Sequence, residues 1–270
     1  MRAPTHNVFH LGALAEHGLS PTPESHGAAW ALGVFGEGVL RGALVALRGT
    51  GCIYHTPGDV DALGILASVV RSRVMSGPFS LLSGHASQVA PLLPLIQEIG
   101  VARPDECLFR TLLPGNLTSP GERVRGFSES RLAAHEDIER LADFYELGFY
   151  SLARLPSRGA WRSRLTEQIA FRTLYFIEDR RGRVVSAALS SAEGSGAAML
   201  GGVATLPEYL GRGLSTLCVG TLCAHLFSKG LESVSLFYLR ENNAAGRVYA
   251  KLGFHDAGEW LLAALGYFGF

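Results

Sequence analysis

Gly201-Gly202-Val203-Ala204-Thr205-Leu206-Pro207-Glu208-Tyr209-Leu210-Gly211-Arg212-Gly213-Leu214-Ser215 is the most informative stretch of this 270-residue chain. It opens as an extended apolar run, turns through two closely spaced glycines, and continues into Leu214, Leu217, Cys218, Thr221 and Leu222, which fall on one face of a helix. A strand that enters a helix through Gly-x-Gly leaves the first-turn N–H groups free, and it sets the positive end of the helix dipole beside backbone without a Cβ. That pattern suits a phosphate or pyrophosphate, with Arg212 placed to add a charge-assisted contact. Gly-x-Gly also serves ordinary tight turns, so the reading needs a second signal.

The second signal is Leu239-Arg240-Glu241-Asn242-Asn243-Ala244-Ala245-Gly246-Arg247-Val248-Tyr249-Ala250-Lys251-Leu252-Gly253-Phe254. Here Asn243 is read as the N-cap of a helix that buries Ala245, Val248, Tyr249 and Leu252, and Gly253 as its left-handed C-cap. Together the two segments resemble the GNAT superfamily of acyl-CoA-dependent N-acetyltransferases. Val203, Pro207 and Gly213 fall in register with the family's Val-x-x-x-Pro-x-x-Arg/Gln-x-x-Gly-x-Gly/Ala loop. Asn242, Ala245, Tyr249, Gly253 and Phe254 match its later Asn-x-x-Ala-x-x-x-Tyr-x-x-x-Gly-Phe without a gap. The resemblance covers residues 123–270. Leu210 stands where the family has Arg or Gln, and Ser215 where it has Gly or Ala, which removes one side-chain support of the loop and leaves its backbone donors.

Working outward, the segment Leu113–Ser130 is rich in Pro, Gly and Ser and reads as a linker, giving modules over 1–115 and 123–270. In the second module, helices are expected over 135–149 and 159–171. Extended runs follow over Arg172–Glu178, Val184–Ser190 and Ala197–Thr205, joined by turn-rich connections. Then come a helix over Gly213–Ser228, a strand over Ser233–Leu239, a helix over Ala244–Leu252 and an apolar strand around Glu259–Phe268. The fold class is α+β: mixed, mostly antiparallel sheet flanked by helices.

The first half gives a blurred copy of that order. It has a helix at Val8–His17, a hairpin around Gly36-Glu37-Gly38, a strand over Gly51–His55, helices over Asp59–Met75 and Ala86–Ile99, and strands over Phe79–Ser83 and Glu106–Leu112. It is either a second GNAT-like module or an unrelated α+β lid. Its turn, Thr56-Pro57-Gly58-Asp59-Val60-Asp61, has no Gly-x-Gly and puts two acids where a phosphate would sit, so as a repeat it is degenerate.

Composition narrows the partners. The chain is 47% apolar, and 24 basic residues balance 24 acidic ones, so bulk charge offers no capture of nucleic acid or anionic membrane. Cys52, Cys107, Cys218 and Cys223 form no CxxC pair and read as core hydrophobes, and nine histidines show no metal-ligand spacing. A cytoplasmic location is the expectation, with a homodimer allowed.

The resemblance implies direct attack of a primary amine on the thioester of acetyl-CoA, with no metal. The donor would lie along Val203, Ala204 and Thr205, and then along Gly211, Arg212, Gly213, Leu214, Ser215 and Thr216, with Asn242, Ala245 and Tyr249 beside it. A backbone N–H near Val203 or Ala204 would polarise the thioester carbonyl, and Tyr249 would return a proton to the leaving thiolate. Tyr249 also fits as a core aromatic, and Asn242 as a turn or capping residue. Glu178, Glu193 and Glu241 are the carboxylates near the expected cleft, Glu241 being preferred as general base. The rival reading is a non-catalytic acyl-CoA sensor with the same fold.

Overall fold

Two hairpins share one turn chemistry. Strand β1 (Trp30–Gly36) is joined to β2 (Val39–Leu47) through Glu37 and Gly38, with φ of 51° and 77°. Strand β8 (Val184–Gly194) is joined to β9 (Ala197–Thr205) through Ser195 and Gly196, with φ of 50° and 77°. Two successive left-handed residues match the twist of the flanking strands, so each turn fixes its register. The computed structural model describes residues 30–47, 50–76, 79–121, 123–148 and 158–266. The helix expected at Val8–His17 and the last residues of the C-terminal strand lie outside them.

The described chain forms two compact units. The first holds the described residues through Phe109, with Phe237–Glu241 and those from Asp256 on; the second holds Arg110–Leu236 and Asn242–His255. In the first unit β1 and β2 continue into β3 (Thr50–His55), helix α1 (Val60–Ser76), β4 (Leu81–His85) and the short helix α2 (Ala86–Val89). Its core gathers Leu44, Ile53, Leu66, Val70, Leu82 and Ile96, all essentially inaccessible. Helix α2 stops early because Pro91 and Pro94 cannot donate to a helical ladder. The expected helix over Ala86–Ile99 becomes one turn and a kinked 3-10 stretch over Leu93–Ile99. Strand β5 (Asp105–Leu112) follows. The final strand, β11 (His255–Ala264), starts earlier than its apolar run and pairs antiparallel with β4, where Trp260 donates from Nε1 to Ser83 Oγ at 2.9 Å.

The second unit contains β6 (Arg131–Leu132), α3 (Ile138–Gly148), α4 (Arg158–Phe171), β7 (Leu174–Glu178), β8, β9, α5 (Leu214–Ser228), the part of β10 (Ser233–Leu239) through Leu236, and α6 (Asn243–Lys251). Its strands lie in the order β10-β9-β8-β7-β6, with β10 parallel to β9 and the others antiparallel. Helix α5 packs on β7, β8 and β9, while α3 packs on β8 and β9 and against α4. Three antiparallel strands, a helix, a parallel strand and a helix therefore occur in both units. The sequence order is a mixed sheet flanked by helices, as its periodicity indicates.

The Pro/Gly-rich segment after β5 is fastened down. Thr118 donates its N–H to Leu252 O at 3.2 Å, and Ser128 to Glu178 O at 2.8 Å. Gly253, at φ 94°, ends α6 against Asn116, whose carbonyl oxygen would stand 2.0 Å from any Cβ at that position. A left-handed C-cap and a close approach thus both demand the glycine. All four cysteines are buried.

A buried carboxylate locks the start of α3. Asp137, 1% exposed, accepts 2.6 Å hydrogen bonds from both Arg131 and Arg140 and a 2.9 Å bond from the Ala134 N–H. Both arginines also reach Glu178 on β7. Burial alone would raise the Asp137 carboxyl; the two guanidinium groups and the backbone donor outweigh it and hold it at about 2. Because the folded value is depressed, the stabilisation is complete above pH about 4 and is lost as pH falls toward 2. Asp137→Asn should lower unfolding free energy by about 2 kcal/mol at neutral pH and flatten that acid-limb dependence, read by urea titrations between pH 2 and 7.

Candidate functional site

The end of β9 departs from regular sheet. Ala187 faces Ala204 and Leu189 faces Gly201, so Gly202 and Val203 together stand opposite Ala188 alone. This is a β-bulge with its glycine at φ 54°. On the other side of β9 the parallel ladder to β10 runs only from Ser233↔Ala197 to Ser235↔Met199. From Leu200 onward β9 therefore has no β10 partner along that edge.

Beyond β9, Leu206 is buried and Pro207–Tyr209 form a single 3-10 turn. Gly211 and Gly213 both take left-handed conformations, φ 75° and 81°, and a Cβ on either would meet nothing within 4 Å. These glycines answer to backbone conformation and leave clear space above the turn. Gly213 is the N-cap of α5, and no side chain caps that helix. The N–H groups of Leu214, Ser215 and Thr216 thus end α5 without a capping side chain. Leu214 and Thr216 themselves are buried, so they offer backbone only. Ser215 Oγ lies 2.7 Å from Thr205 Oγ1, which lies 2.9 Å from Ser186 Oγ, tying the helix start to β9 and β8.

Other expected residues are placed as follows. Arg212 is exposed, with its guanidinium 5.3 Å from the Tyr209 ring centroid and a 3.2 Å bond to Glu208 O. Asn242, not Asn243, caps α6: its Oδ1 accepts from the Ala245 N–H at 3.1 Å, the carbonyl being one position nearer the strand than the apolar spacing suggests. Ala245 is half-buried behind it. Tyr249 is 6% exposed, with its ring edge-on to Phe254 at 5.6 Å. Glu241 is exposed in the turn after β10. Leu210 is 63% exposed.

Two of the three candidate carboxylates are engaged elsewhere. Glu178 is held by Arg131 and Arg140. Glu193 accepts from Ser190 Oγ, from the Thr173 N–H at 3.0 Å and from Lys229 at 2.9 Å; burial raises its carboxyl, and these donors together bring it below the usual range. His225 stands 3.2 Å from the Tyr175 hydroxyl. The sequence reading missed Tyr145, whose hydroxyl donates to Gly202 O at 2.8 Å from α3. Sequence presents it as one apolar position of an amphipathic helix, and nothing local signals a partner so far along the chain.

This architecture defines a class: a mixed sheet opened at a parallel strand pair, with a glycine-rich turn and an uncapped helix at the opening. Residues 136–254 match the model of the acetyltransferase (GNAT) family. Among solved structures, a tandem GNAT protein from the clavulanic acid biosynthesis pathway superposes with TM-score 0.65 at 17% identity, covering 98% of this chain and 89% of that one. A structure described as a GNAT-family acetyltransferase, from Novosphingobium aromaticivorans, gives TM-score 0.59 at 21% identity over 97% and 99%. A GCN5-related N-acetyltransferase from Kribbella flavida gives 0.62 at 16% over 83% and 86%. No curated protein sequence matches significantly. Residues 136–254 thus match a GNAT acetyltransferase domain, and the solved structures share the fold of the chain.

Asn242→Ala removes the α6 cap and should lower unfolding free energy by about 1 kcal/mol in chemical denaturation. If acetyl-CoA affinity falls more than tenfold as well, Asn242 also contacts the donor.

Proposed function

We propose that the protein transfers the acetyl group of acetyl-CoA to a primary amine of a small molecule, by direct attack within a ternary complex. The observation that carries the reading is the uncapped start of α5 beneath two left-handed glycines with clear space above them. Fixed N–H groups and a helix dipole fit a pyrophosphate there. When bound, acetyl-CoA supplies an activated thioester. The pantetheine arm would run along Val203, Ala204 and Thr205, where β9 has left its ladder with β10.

The chain's own groups then position and manage protons. The Val203 N–H donates to the oxygen that gains charge as the amine attacks. Backbone donors from Gly211 to Thr216 hold the phosphates, with Arg212 adding charge at their exposed edge. Tyr249, buried at the ring, protonates the leaving thiolate. Glu241, the one candidate carboxylate that no ion pair described above holds, takes a proton from the amine. Asn242 and Ala245 shape the start of α6 beside the thiol end.

We read the first unit as a repeat that has lost donor binding. There Asp59 Oδ1 accepts from the Ala62 N–H at 3.0 Å, so α1 is capped by its own carboxylate. Asp61 in the first turn adds a second negative charge.

Leu210, exposed where relatives carry Arg or Gln, favours a second reading: an acyl-CoA-binding sensor without turnover. Calorimetric titration of acetyl-CoA separates the outcomes. Wild type should bind one acetyl-CoA per chain, and Gly213→Glu, which places a carboxylate at the helix start, should abolish binding. With an amine found by an acetylation screen, Tyr249→Phe should lower kcat on the order of 100-fold while acetyl-CoA affinity stays within about twofold. Binding without turnover on any amine establishes the sensor.

A further inference from the structure

The β8–β9 ladder is interrupted at the peptide between Gly202 and Val203, since both residues stand opposite Ala188 alone. A bulge disrupts the ladder locally, so this peptide is oriented less by the sheet than a ladder peptide is, and a poorly oriented N–H is a poor donor to a developing oxyanion. The restraint comes from outside the sheet. Tyr145 on α3 donates its hydroxyl to the Gly202 carbonyl at 2.8 Å. A trans peptide is planar and carries its C=O and N–H on opposite sides. Holding the Gly202 carbonyl toward α3 therefore turns the Val203 N–H away from α3.

Resting on the acetyltransferase reading above, we infer that Tyr145 is a positioning residue: its hydroxyl pins the bulge so that the Val203 N–H is already aligned for the thioester carbonyl. The support is rigid on every side. The Tyr145 ring is completely buried, stacked on Trp161 at 4.8 Å and 21°, and edge-on to Phe144 at 5.0 Å. Burial pushes its phenol above the ordinary range, so it remains a donor throughout the neutral pH region. The bulge accommodates the hydroxyl only because position 202 is glycine. A Cβ there would lie 2.8 Å from Leu189 and 3.2 Å from the Tyr145 oxygen, at a φ of 54°. At its other end α3 is anchored to β6 and β7 by Asp137, Arg131, Arg140 and Glu178. A chain of contacts thus runs from the charge cluster through α3 to a single peptide plane.

Tyr145→Phe keeps the stacked ring and removes the hydroxyl alone. In 15N-labelled protein the amide resonances of Val203 and Ala204 should move while those at the start of α5 stay in place. With the amine substrate kcat should fall on the order of 10-fold, and the KM for acetyl-CoA should stay within about twofold. Trp161→Phe, which keeps the hydroxyl and loosens the packing, should lower the melting temperature and leave kcat within about threefold. An unmoved Val203 amide overturns the pin. A moved amide with unchanged kcat overturns its catalytic use. Equal losses of kcat and acetyl-CoA affinity in Tyr145→Phe, or a matching kcat loss in Trp161→Phe, make Tyr145 structural and overturn the inference. Failure of wild type to bind acetyl-CoA overturns the underlying reading instead, while the Val203 amide still decides whether the pin exists.

Discussion

One surplus residue in β9 governs the second unit. Had β9 matched β8 residue for residue and stayed paired with β10 to its end, its terminal N–H groups would have been spent on the two ladders, with no backbone donors left over at the strand end. The bulge at Gly202 and Val203 breaks that accounting on one edge, and the early end of the β9–β10 ladder breaks it on the other. Unsatisfied backbone groups are costly unless something meets them. Here one carbonyl is met by the Tyr145 hydroxyl, and the donors that remain are the ones the proposed thioester ligand would use.

The rest of the unit is arranged to keep that departure from regularity in one place. The Ser186, Thr205 and Ser215 hydroxyls link β8, β9 and α5 just beyond the bulge. The apolar face of α5, with Leu217, Cys218, Leu222 and Leu226 buried, presses the helix against β7, β8 and β9. The positions leading into it, where a side chain could cap it, are instead Gly211 and the N-cap Gly213. On the proposed function, stability is supplied by the body of the helix and ligand binding is left to its end, a division that works because the dipole and free N–H groups are confined to the first turn.

Much of this is legible in sequence, because it depends on periodicity and on glycine. Both hairpins, the α5 face and the left-handed Gly253 follow from local patterns that need no knowledge of the fold. The loop and α6 motifs locate the candidate site for the same reason: their spacing is set by a strand, a turn and a helix in immediate succession. What escapes is long-range. The cap at Asn242 is displaced by one residue because cap geometry depends on where β10 releases the chain. The helix after His85 is shortened by Pro91 and Pro94, a local signal outweighed by apolar spacing in the reading. Glu178 and Glu193 look available until the arginines and Lys229 are brought to them from distant segments. The role of Tyr145 exists only once α3 is laid across β9.

The two units make the same argument by contrast. In each, a third antiparallel strand ends at a turn, a helix begins, and a parallel strand follows. At the start of α1 the turn contains Asp59, whose carboxylate takes the N–H of Ala62, and Arg41 stands 3.7 Å from that carboxylate. The helix dipole is answered from within the chain, and an incoming phosphate would have to displace a covalently tethered anion. At the start of α5 the corresponding residue is Gly213, which has no side chain to offer. On the proposed function, the same backbone path is closed to anions in the first unit and open in the second. The difference rests on whether the residue before the helix carries its own negative charge.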